Sequence, residues 1–200
     1  MQFLISDTFT DSLRKLTNQE QKAIKTTAFD LQTNPASPGL RFHRIDKSKD
    51  GNFWSVSSSL DLRLVVHKTS DSMLLCYVDH HDKAYDWAFR RKVETHPTTG
   101  AAQLVEIRET VKEIVIPKYT GVETAVPKQP LFVSKSDEEL LSCGVPSEWL
   151  GDVKNADEDS LLELSDHLPS EAAEALLDLA TGRTPQVTTD RKSTRVNSSH

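Results

Sequence analysis

The chain has little cysteine, no long apolar run and no glycine-rich phosphate loop, and each shortage excludes a class of protein. Cys76 and Cys143 are its only cysteines, too few for a disulfide framework, so we expect a cytoplasmic location. No apolar run approaches the ~20 residues that span a bilayer, and the start lacks the features of a signal peptide. No Gly-x-x-x-x-Gly-Lys-Ser/Thr occurs, so these 200 residues do not bind ATP through a P-loop. We expect no membrane partner and no cofactor in this chain.

The composition is that of a folded protein with a modest core and an uneven charge. Hydrophobic residues make up 36% of the chain and charged residues 27%, which suits one or two small domains. Residues 1–120 carry 17 Lys and Arg against 15 Asp and Glu, whereas residues 121–200 carry 7 against 15. The net charge of −6 therefore hides a slightly basic first part, which suits a local polyanion contact.

The first 92 residues alternate between strand and helix patterns. Thr17 to Glu20 has the sequence of a capping box, and Pro35 ends the helix that follows. We expect helices at 8–16 and from 17 to about 34, with strands at 3–5, 40–45, 53–59, 61–68 and 73–78. These elements predict an α+β domain at 1–92, in which two helices pack on one face of a curved antiparallel sheet. The polar face of that sheet is expected to stay open.

The remaining residues predict smaller pieces. Residues 93–120 fit a β-rich or mixed extension, and the spaced prolines of 121–135 are typical of a linker. Residues 136–182 predict a small acidic α-helical segment, in which Ser136 and Ser170 are expected helix caps. Residues 183–200 are expected to be a disordered tail. Because residues 191–200 resemble a translated adaptor, we expect them to be non-native and the natural chain to continue.

Chemically capable side chains cluster around the end of the last predicted strand. Arg63 can hold a phosphate by two parallel hydrogen bonds, and His80, His81 and Tyr85 can move protons. Simpler alternatives remain open, since Arg63 could pair with Asp61 and the two histidines could merely end a strand. Tyr85 could equally pack a terminal helix onto the sheet. We expect no metal site, because adjacent histidines diverge on a strand and no third ligand has a telling spacing.

Basic side chains flank this group in the sequence and are candidates for binding nucleic acid. Lys47 and Lys49 share a polar loop with Asp46 and Asp50, so a solvated loop is an equal alternative for them. The full candidate set for nucleic-acid binding is Arg41, Arg44, Lys47, Lys49 and Lys68.

Two segments, taken with this order of elements, carry a resemblance to a known family: Phe53-Trp54-Ser55-Val56 leads to Asp61-Leu62-Arg63-Leu64-Val65. Over about residues 1–92, the chain resembles the RelE/ParE toxin superfamily. Such toxins include ribosome-dependent mRNA endonucleases and relatives that poison gyrase. The resemblance implies a basic sheet face on which an RNA 2′-hydroxyl attacks its own 3′-phosphate. Arg63 would stabilise the phosphate, His80 or His81 would protonate the leaving 5′-oxygen, and Tyr85 would position the nucleotide. Ser57 stands where many active members carry an Arg, which could cost ~2–4 kcal/mol of transition-state stabilisation.

A second resemblance covers His80 to Ala88, Gly100 to Glu106, and 138–173. These segments are similar to the amino-terminal extension of UvrD-like superfamily 1 DNA helicases, in which a RelE-like domain precedes the ATP-dependent motor. The first hypothesis is therefore a RelE-like module of such a helicase that binds nucleic acid or a partner, with or without weak endoribonuclease activity.

Two other functions remain open. The alternative to the helicase module is a free-standing toxin–antitoxin mRNA interferase, and the third possibility is a purely structural interaction domain. The expected partners are mRNA on the ribosome, DNA through the parent helicase, an antitoxin, or the chain's own acidic segment.

Overall fold

In the computed structural model, residues 1–112 and 128–186 are described, and the chain divides into two units after Lys92. The predicted tail beyond residue 186 and the first part of the predicted linker lie outside the described residues. No helix within the described ranges is long and apolar enough to cross a membrane.

The first unit is a five-stranded sheet with three helices. Its strand order is β1-β5-β4-β3-β2, with β1 parallel to β5 and every other pair antiparallel. The predicted α+β class is confirmed. The elements are β1 (Gln2–Ile5), α1 (Asp7–Arg14), α2 (Asn18–Thr33), β2 (His43–Arg44), β3 (Phe53–Ser57), β4 (Leu62–Lys68), β5 (Ser72–His80) and α3 (His81–Phe89).

Local side-chain bonds start the first two helices. The Ser6 hydroxyl accepts from the Phe9 N–H at 3.0 Å and donates to the Cys76 carbonyl on β5 at 3.1 Å. Thr17 and Glu20 form the predicted capping box, each side chain accepting from the other's backbone N–H. Helix α2 ends at Thr33, before the proline that the sequence predicts to stop it.

Helices α1 and α2 cover one face of the sheet. The buried side chains on this face include Phe9, Ile24, Leu31, Val56, Leu64, Val66 and Leu75. One polar residue lies among them: the Ser12 hydroxyl donates to the Phe9 carbonyl at 2.9 Å and accepts from the Val78 N–H at 3.1 Å. This residue ties α1 to β5 in a place that water does not reach.

The other face of the sheet is also covered, so the prediction of an open polar face is wrong. Strand β5 runs directly into α3, whose Trp87 ring stacks on Tyr77 at 4.7 Å and lies 5.9 Å from the Phe53 ring. Val65 on this face is 1% exposed. The apolar residues of α3 need burial, and the nearest uncovered surface is the sheet face that the sequence pattern left free.

The second strand is shorter than predicted. Only His43–Arg44 pairs with β3, because Pro38–Leu40 forms a 3₁₀ turn and Arg41 has φ 43°. That left-handed conformation is uncommon for a residue with a side chain and cannot continue a strand. Strand β3 likewise ends at Ser57, two residues earlier than predicted.

The second unit combines a hairpin with short helices. Its strand β6 (Arg91–Thr95), which begins at the unit boundary, pairs with β7 (Ala102–Glu106). Short 3₁₀ turns cover Arg108–Thr110 and Ser147–Trp149. The helices are α4 (Asp137–Ser142), α5 (Leu150–Lys154), α6 (Glu158–Ser165) and α7 (Ser170–Ala180). Ser136 caps α4 as predicted, whereas Pro169 precedes α7 and Ser170 is its first residue.

The core of the second unit centres on Trp149, which is fully buried. Phe132 is 1% exposed in the same cluster, although the sequence pattern around it predicts a linker. Spaced prolines indicate an extended chain, but they do not reveal that one aromatic residue of that chain is buried. Other members of the core are Leu140, Val153, Leu161, Leu164, Ala172 and Leu176.

Polar side chains fix this small core at several points. The Trp149 indole N–H donates to the Glu106 carbonyl at 2.8 Å, and its ring stacks on His167. His167 Nδ1 lies 2.9 Å from the Glu106 carboxylate. Arg108 donates two hydrogen bonds to the Asp152 carboxylate, at 2.8 and 3.0 Å. Side-chain contacts of this kind replace the long backbone ladders of the first unit.

A second polar group surrounds Gly144, which has φ 91°. The ring of His96 is 3% exposed, and its Nδ1 accepts from the N–H groups of Thr98 and Thr99 at 3.1 and 3.2 Å. The Gln103 amide donates to the Gly144 carbonyl at 3.3 Å. A Cβ at residue 144 would lie 2.7 Å from the His96 ring, so this packing requires glycine.

Candidate active site

Three side chains that can exchange protons meet where α3 passes the edge strand β2. Tyr85 on α3 places its hydroxyl 2.9 Å from Nε2 of His43 on β2. The Tyr85 ring lies 4.6 Å from the His81 ring, centroid to centroid. His81 and Tyr85 share a helix face because they are four residues apart. We name His43, His81 and Tyr85 the His–Tyr cluster.

The hydrogen bonds of His43 determine which nitrogen carries the hydrogen when the ring is neutral. Nδ1 lies 2.8 Å from the Arg41 carbonyl oxygen, which can only accept, so Nδ1 carries the hydrogen. Nε2 of a neutral ring then accepts the Tyr85 hydroxyl proton. The arrangement joins a phenol to a base that can take its proton.

The second histidine of the cluster, His81, also has a hydrogen-bond partner at Nδ1, but its ring faces solvent. His81 Nδ1 lies 2.8 Å from the Asp82 carboxylate, which leaves Nε2 as the nitrogen available to a substrate. The His81 side chain is 49% exposed. A carboxylate that orients a histidine is a common arrangement for acid–base chemistry.

Arg63, a predicted catalytic residue, is turned into its own loop. Its guanidinium donates to the carbonyl oxygens of Ser59, Leu60 and Leu62 at 3.1, 3.1 and 2.9 Å. A phosphate would have to replace these carbonyls. Ser57 pairs directly with Arg63 across β3 and β4, so no second Arg stands beside it.

His80, also a predicted catalytic residue, lies between two carboxylates rather than in the cluster. Its Nδ1 is 2.6 Å from Asp61, and its Nε2 is 3.5 Å from Glu20. The hydrogen bond from His80 is the main reason that the pKa of Asp61 is lowered, followed by the bond from the His81 N–H. These contacts join β5 to the start of β4 and to α2, which suits a structural role.

The predicted nucleic-acid-binding residues surround β2 and the loop after it. The Arg44 guanidinium lies over Gly51 in that loop, and Lys47 and Lys49 in the same loop are exposed. Lys68 lies farther along the sheet, with its ammonium 5.3 Å from the Phe42 ring and 5.0 Å from the Trp54 ring. Arg41 follows the 3₁₀ turn and lines a cavity with Lys68.

The surface around the amino-terminal end of α3 is acidic. Asp61, Asp82 and Asp86 are exposed there, and Asp79 accepts from the Tyr77 hydroxyl at 3.0 Å. Burial, with this bond to Asp79, raises the pKa of Tyr77 to about 12. Tyr77 is therefore a poor proton donor.

No group of three or more His, Cys, Asp or Glu within 1–112 and 128–186 could hold a metal ion. Complete burial raises the pKa of the Cys76 thiol, so this cysteine is not a reactive nucleophile.

His43 is the member of the cluster that sequence reasoning did not select. It is separated from Tyr85 by 42 residues, and its only sequence signal is a position in a short strand. The pairing of His43 with Ser55 puts it on the face that α3 crosses. That crossing is a tertiary feature, which a periodicity along the chain does not contain.

No protein-family model and no curated protein matches the chain. Three solved structures are similar to part of this chain. About two fifths of the chain align with each structure, and they cover almost all of it. YafQ from E. coli strain BL21(DE3) is 13% identical, with a TM-score of 0.36, over 41% of this chain and 94% of YafQ. A RelB–RelE antitoxin–toxin complex from Methanococcus jannaschii is 19% identical, with a TM-score of 0.35, over 42% and 95%.

The third is the RelBE2 toxin–antitoxin complex from Mycobacterium tuberculosis. It is 19% identical, with a TM-score of 0.30, over 40% of this chain and 96% of that one. Two of these three structures are thus RelE-type toxins in complex with antitoxins. At these identities and scores, no residue role is transferred from them to this chain.

Proposed function

We propose that the first unit binds single-stranded RNA and cleaves it slowly, as an mRNA-interferase-type endoribonuclease, at the His–Tyr cluster. The observation that carries this proposal is the 2.9 Å hydrogen bond between Tyr85 and His43 beside the half-exposed ring of His81. RNA cleavage needs one group to take a proton and another to give one. The cluster contains both, on neighbouring side chains.

The proposed reaction is an intramolecular displacement. Neutral His43 draws the 2′-hydroxyl proton through the Tyr85 oxygen, and the 2′-oxygen attacks the adjacent phosphorus. Doubly protonated His81 gives its Nε2 proton to the 5′-oxygen as the P–O5′ bond breaks. The products are a 2′,3′-cyclic phosphate and a 5′-hydroxyl, and the two histidines have exchanged protonation states.

The expected rate is low because the guanidinium of Arg63 is occupied away from the reacting phosphate. Arg63 donates to three carbonyl oxygens of its own loop, and Ser57 offers no charge opposite it. We infer that Arg63 orders residues 59–62 rather than the transition state. Binding of the RNA backbone then falls to Arg44, Lys47 and Lys49 near β2.

Substitution of one tyrosine at a time tests this assignment. Tyr85→Phe removes the hydroxyl and keeps the ring, and we expect cleavage of a labelled single-stranded RNA to fall about 100-fold, at the low end for acid–base groups. Tyr77→Phe is the matched control, since its hydroxyl binds Asp79 outside the cluster. Equal cleavage by the wild-type chain and Tyr85→Phe would overturn the proposed site.

The two adjacent histidines provide a second comparison. We expect His81→Gln to abolish measurable cleavage and His80→Gln to retain it, because the His81 ring lies 4.6 Å from the Tyr85 ring whereas His80 contacts Asp61 and Glu20. Circular dichroism of both variants establishes that they are folded. The opposite order would make His80 the proton donor and return the site to the β4–β5 end.

A second proposal concerns the larger protein. We infer that this chain is the amino-terminal part of a UvrD-like DNA helicase, with the first unit as its RelE-like module. The observation that favours this is a pair of contacts in the second unit between two segments that resemble the helicase extension, Gly100 to Glu106 and 138–173. The Trp149 indole N–H donates to the Glu106 carbonyl, and the Gln103 amide donates to the Gly144 carbonyl. Separate resemblances that form one folded unit support a common origin.

Reading the source DNA beyond codon 190 tests the helicase proposal. We expect an uninterrupted reading frame that encodes a Gly-x-x-x-x-Gly-Lys-Ser/Thr motif. A nearby stop codon with a small antitoxin gene beside it would contradict the helicase context and favour the free-standing interferase.

A further inference from the structure

A solvent-open cavity of about 490 Å³ lies in the first unit, away from the His–Tyr cluster. Its walls include Met1, Pro38, Phe42 and Met73, and two cations, Arg41 and Lys68, stand among them. Its volume is within the ~300–1,000 Å³ range of small-molecule and cofactor sites. The combination of apolar walls with cations favours a ligand that is both apolar and anionic.

Among the residues that the structure describes, neither cation has a carboxylate partner. No ion pair involves Arg41 or Lys68 within residues 1–112 and 128–186. The Lys68 ammonium instead lies over two stacked rings, Phe42 and Trp54, whose centroids are 4.9 Å apart. Cation–π contacts hold the ammonium in place but do not neutralise it. Both charges therefore remain available to an anion.

The backbone beside the cavity is in an unfavourable conformation. Arg41 has φ 43°, and non-glycine residues in this region are uncommon and concentrate at binding sites. The same residue accepts the His43 hydrogen bond through its carbonyl oxygen. One residue thus lines the cavity with its side chain and orients a member of the His–Tyr cluster with its backbone.

A nucleotide unit combines the two properties that the cavity selects. Bases of single-stranded nucleic acid stack on aromatic rings without regard to sequence, and phosphates bind Arg and Lys. A purely apolar ligand would bury two cations without compensation.

We propose that this cavity is a nucleotide subsite in which a base packs against Phe42 and its phosphate binds Arg41 and Lys68. The inference rests on the proposed function, since it gives the RNA a second anchor across β2 from the His–Tyr cluster. The ligand class is a nucleoside monophosphate unit of a single strand.

The methionines of the chain give a direct test. Met1 and Met73 are its only methionines, and both line the cavity. In the full chain labelled with ¹³C at the methionine methyl groups, uridine 5′-monophosphate at millimolar concentration should shift both signals saturably. Inorganic phosphate and uridine should each produce much smaller shifts.

Several results would overturn the proposal. Unmoved methyl signals would exclude the cavity as a nucleotide site, and a phosphate response equal to that of the nucleotide would reduce it to a simple anion site. A response to an acidic peptide covering Glu158–Ser165, without one to the nucleotide, would assign the cavity to a protein partner. Cleavage is not measured in this titration, so its outcome is independent of the Tyr85→Phe result.

Three variants separate the effect of the side-chain charge from effects of the backbone and of overall charge. Arg41→Gly keeps the left-handed backbone available and removes the guanidinium, and we expect it to weaken single-stranded RNA binding about tenfold, the loss of one charge-assisted contact. Lys68→Gln should act in the same direction. Lys22→Gln, an exposed charge on α2, should change affinity less than twofold, and equal losses in Lys22→Gln and Arg41→Gly would overturn the subsite.

Discussion

The two units hold their chains together by different means. In the first, a five-stranded ladder is covered on both faces by helices, so most of the order comes from backbone pairs. In the second, the strands form a two-stranded sheet, and helices of 5 to 11 residues are fixed by contacts such as Trp149 to Glu106. Helices this short have little stability of their own, so the second unit depends on individual side chains.

The histidines of the two units also differ in their exposure and in their contacts. His81 in the first unit is about half exposed and lies beside Tyr85, while His96 in the second is buried and accepts two backbone N–H groups. A unit with a stable ladder can leave titratable groups at its surface for chemistry. In the second unit, His96 instead satisfies two backbone N–H groups.

We expect the largest effect from the removal of Trp149, which tests whether the two units are stabilised independently. We expect Trp149→Ala to destabilise the second unit by about 3–5 kcal/mol, the usual loss for a buried Trp. The remaining tryptophans, Trp54 and Trp87, both belong to the first unit, so fluorescence then reports that unit alone, while hydrogen exchange reports the second. Leu162→Ala, at a side chain 62% exposed, is the control, and a simultaneous loss of both units in Trp149→Ala would show that they are not held independently.

A methyl group at residue 144 should have the next largest effect. Gly144→Ala combines a left-handed backbone with a Cβ 2.7 Å from His96 and 2.9 Å from Gln103, and we expect a loss of about 2–4 kcal/mol. Gly182→Ala has a similar φ, 75°, with nothing within 4 Å, so it should show the smaller loss due to backbone strain alone. Chemical denaturation measures both, and equal losses would mean that packing around residue 144 is loose.

Ser12→Ala tests the first unit in the same way. The substitution leaves the buried Val78 N–H without its acceptor, at a cost of about 1–3 kcal/mol. Thr26→Ala, on the exposed side of α2, should stay within about 0.5 kcal/mol. A Ser12 variant as stable as the Thr26 variant would show that the β5 ladder does not need this side-chain tie.

The smallest expected effect is on acid stability. The pKa of Asp61 is lowered in the folded protein. Asp61 therefore contributes fully to the free energy of unfolding at pH values above its ordinary pKa of 3.8, and this contribution is lost as the pH falls through the folded-state pKa. His80→Gln should move the pKa of Asp61 up and reduce this acid dependence. The pKa of Glu20, which is lowered chiefly by the Thr17 backbone N–H, should remain low. NMR titration of the carboxyl groups in the wild-type protein and in His80→Gln measures both pKa values.

The sequence predicts local structure well wherever a local interaction decides it. The Thr17–Glu20 capping box, the end of α2 before Pro35 and the Ser136 cap all involve residues within a few positions of one another. The α+β class follows from the alternation of periods 2 and 3.6. These are features that neighbouring residues determine without knowledge of the rest of the chain.

Features that depend on distant residues were not predicted. The cover of α3 over Phe53 and the approach of Tyr85 to His43 arise from how a helix crosses a sheet, which periodicity does not specify. The loop-facing guanidinium of Arg63 has the same origin, because a strand position predicts a face and not a rotamer. The predicted catalytic and nucleic-acid-binding residues stay predictions until the variants above are measured.

The parallel pairing of β1 with β5 has a consequence for synthesis. Gln2 to Ile5 pair with Ser72 to Leu75, so β1 must wait for a strand that is translated about 70 residues later. At the ~5–20 residues per second of translation, that interval lasts several seconds, during which Phe3 and Leu4 have no sheet to join. A chaperone that binds nascent apolar segments would find a target in Gln2 to Ile5, and closure of the sheet would release it.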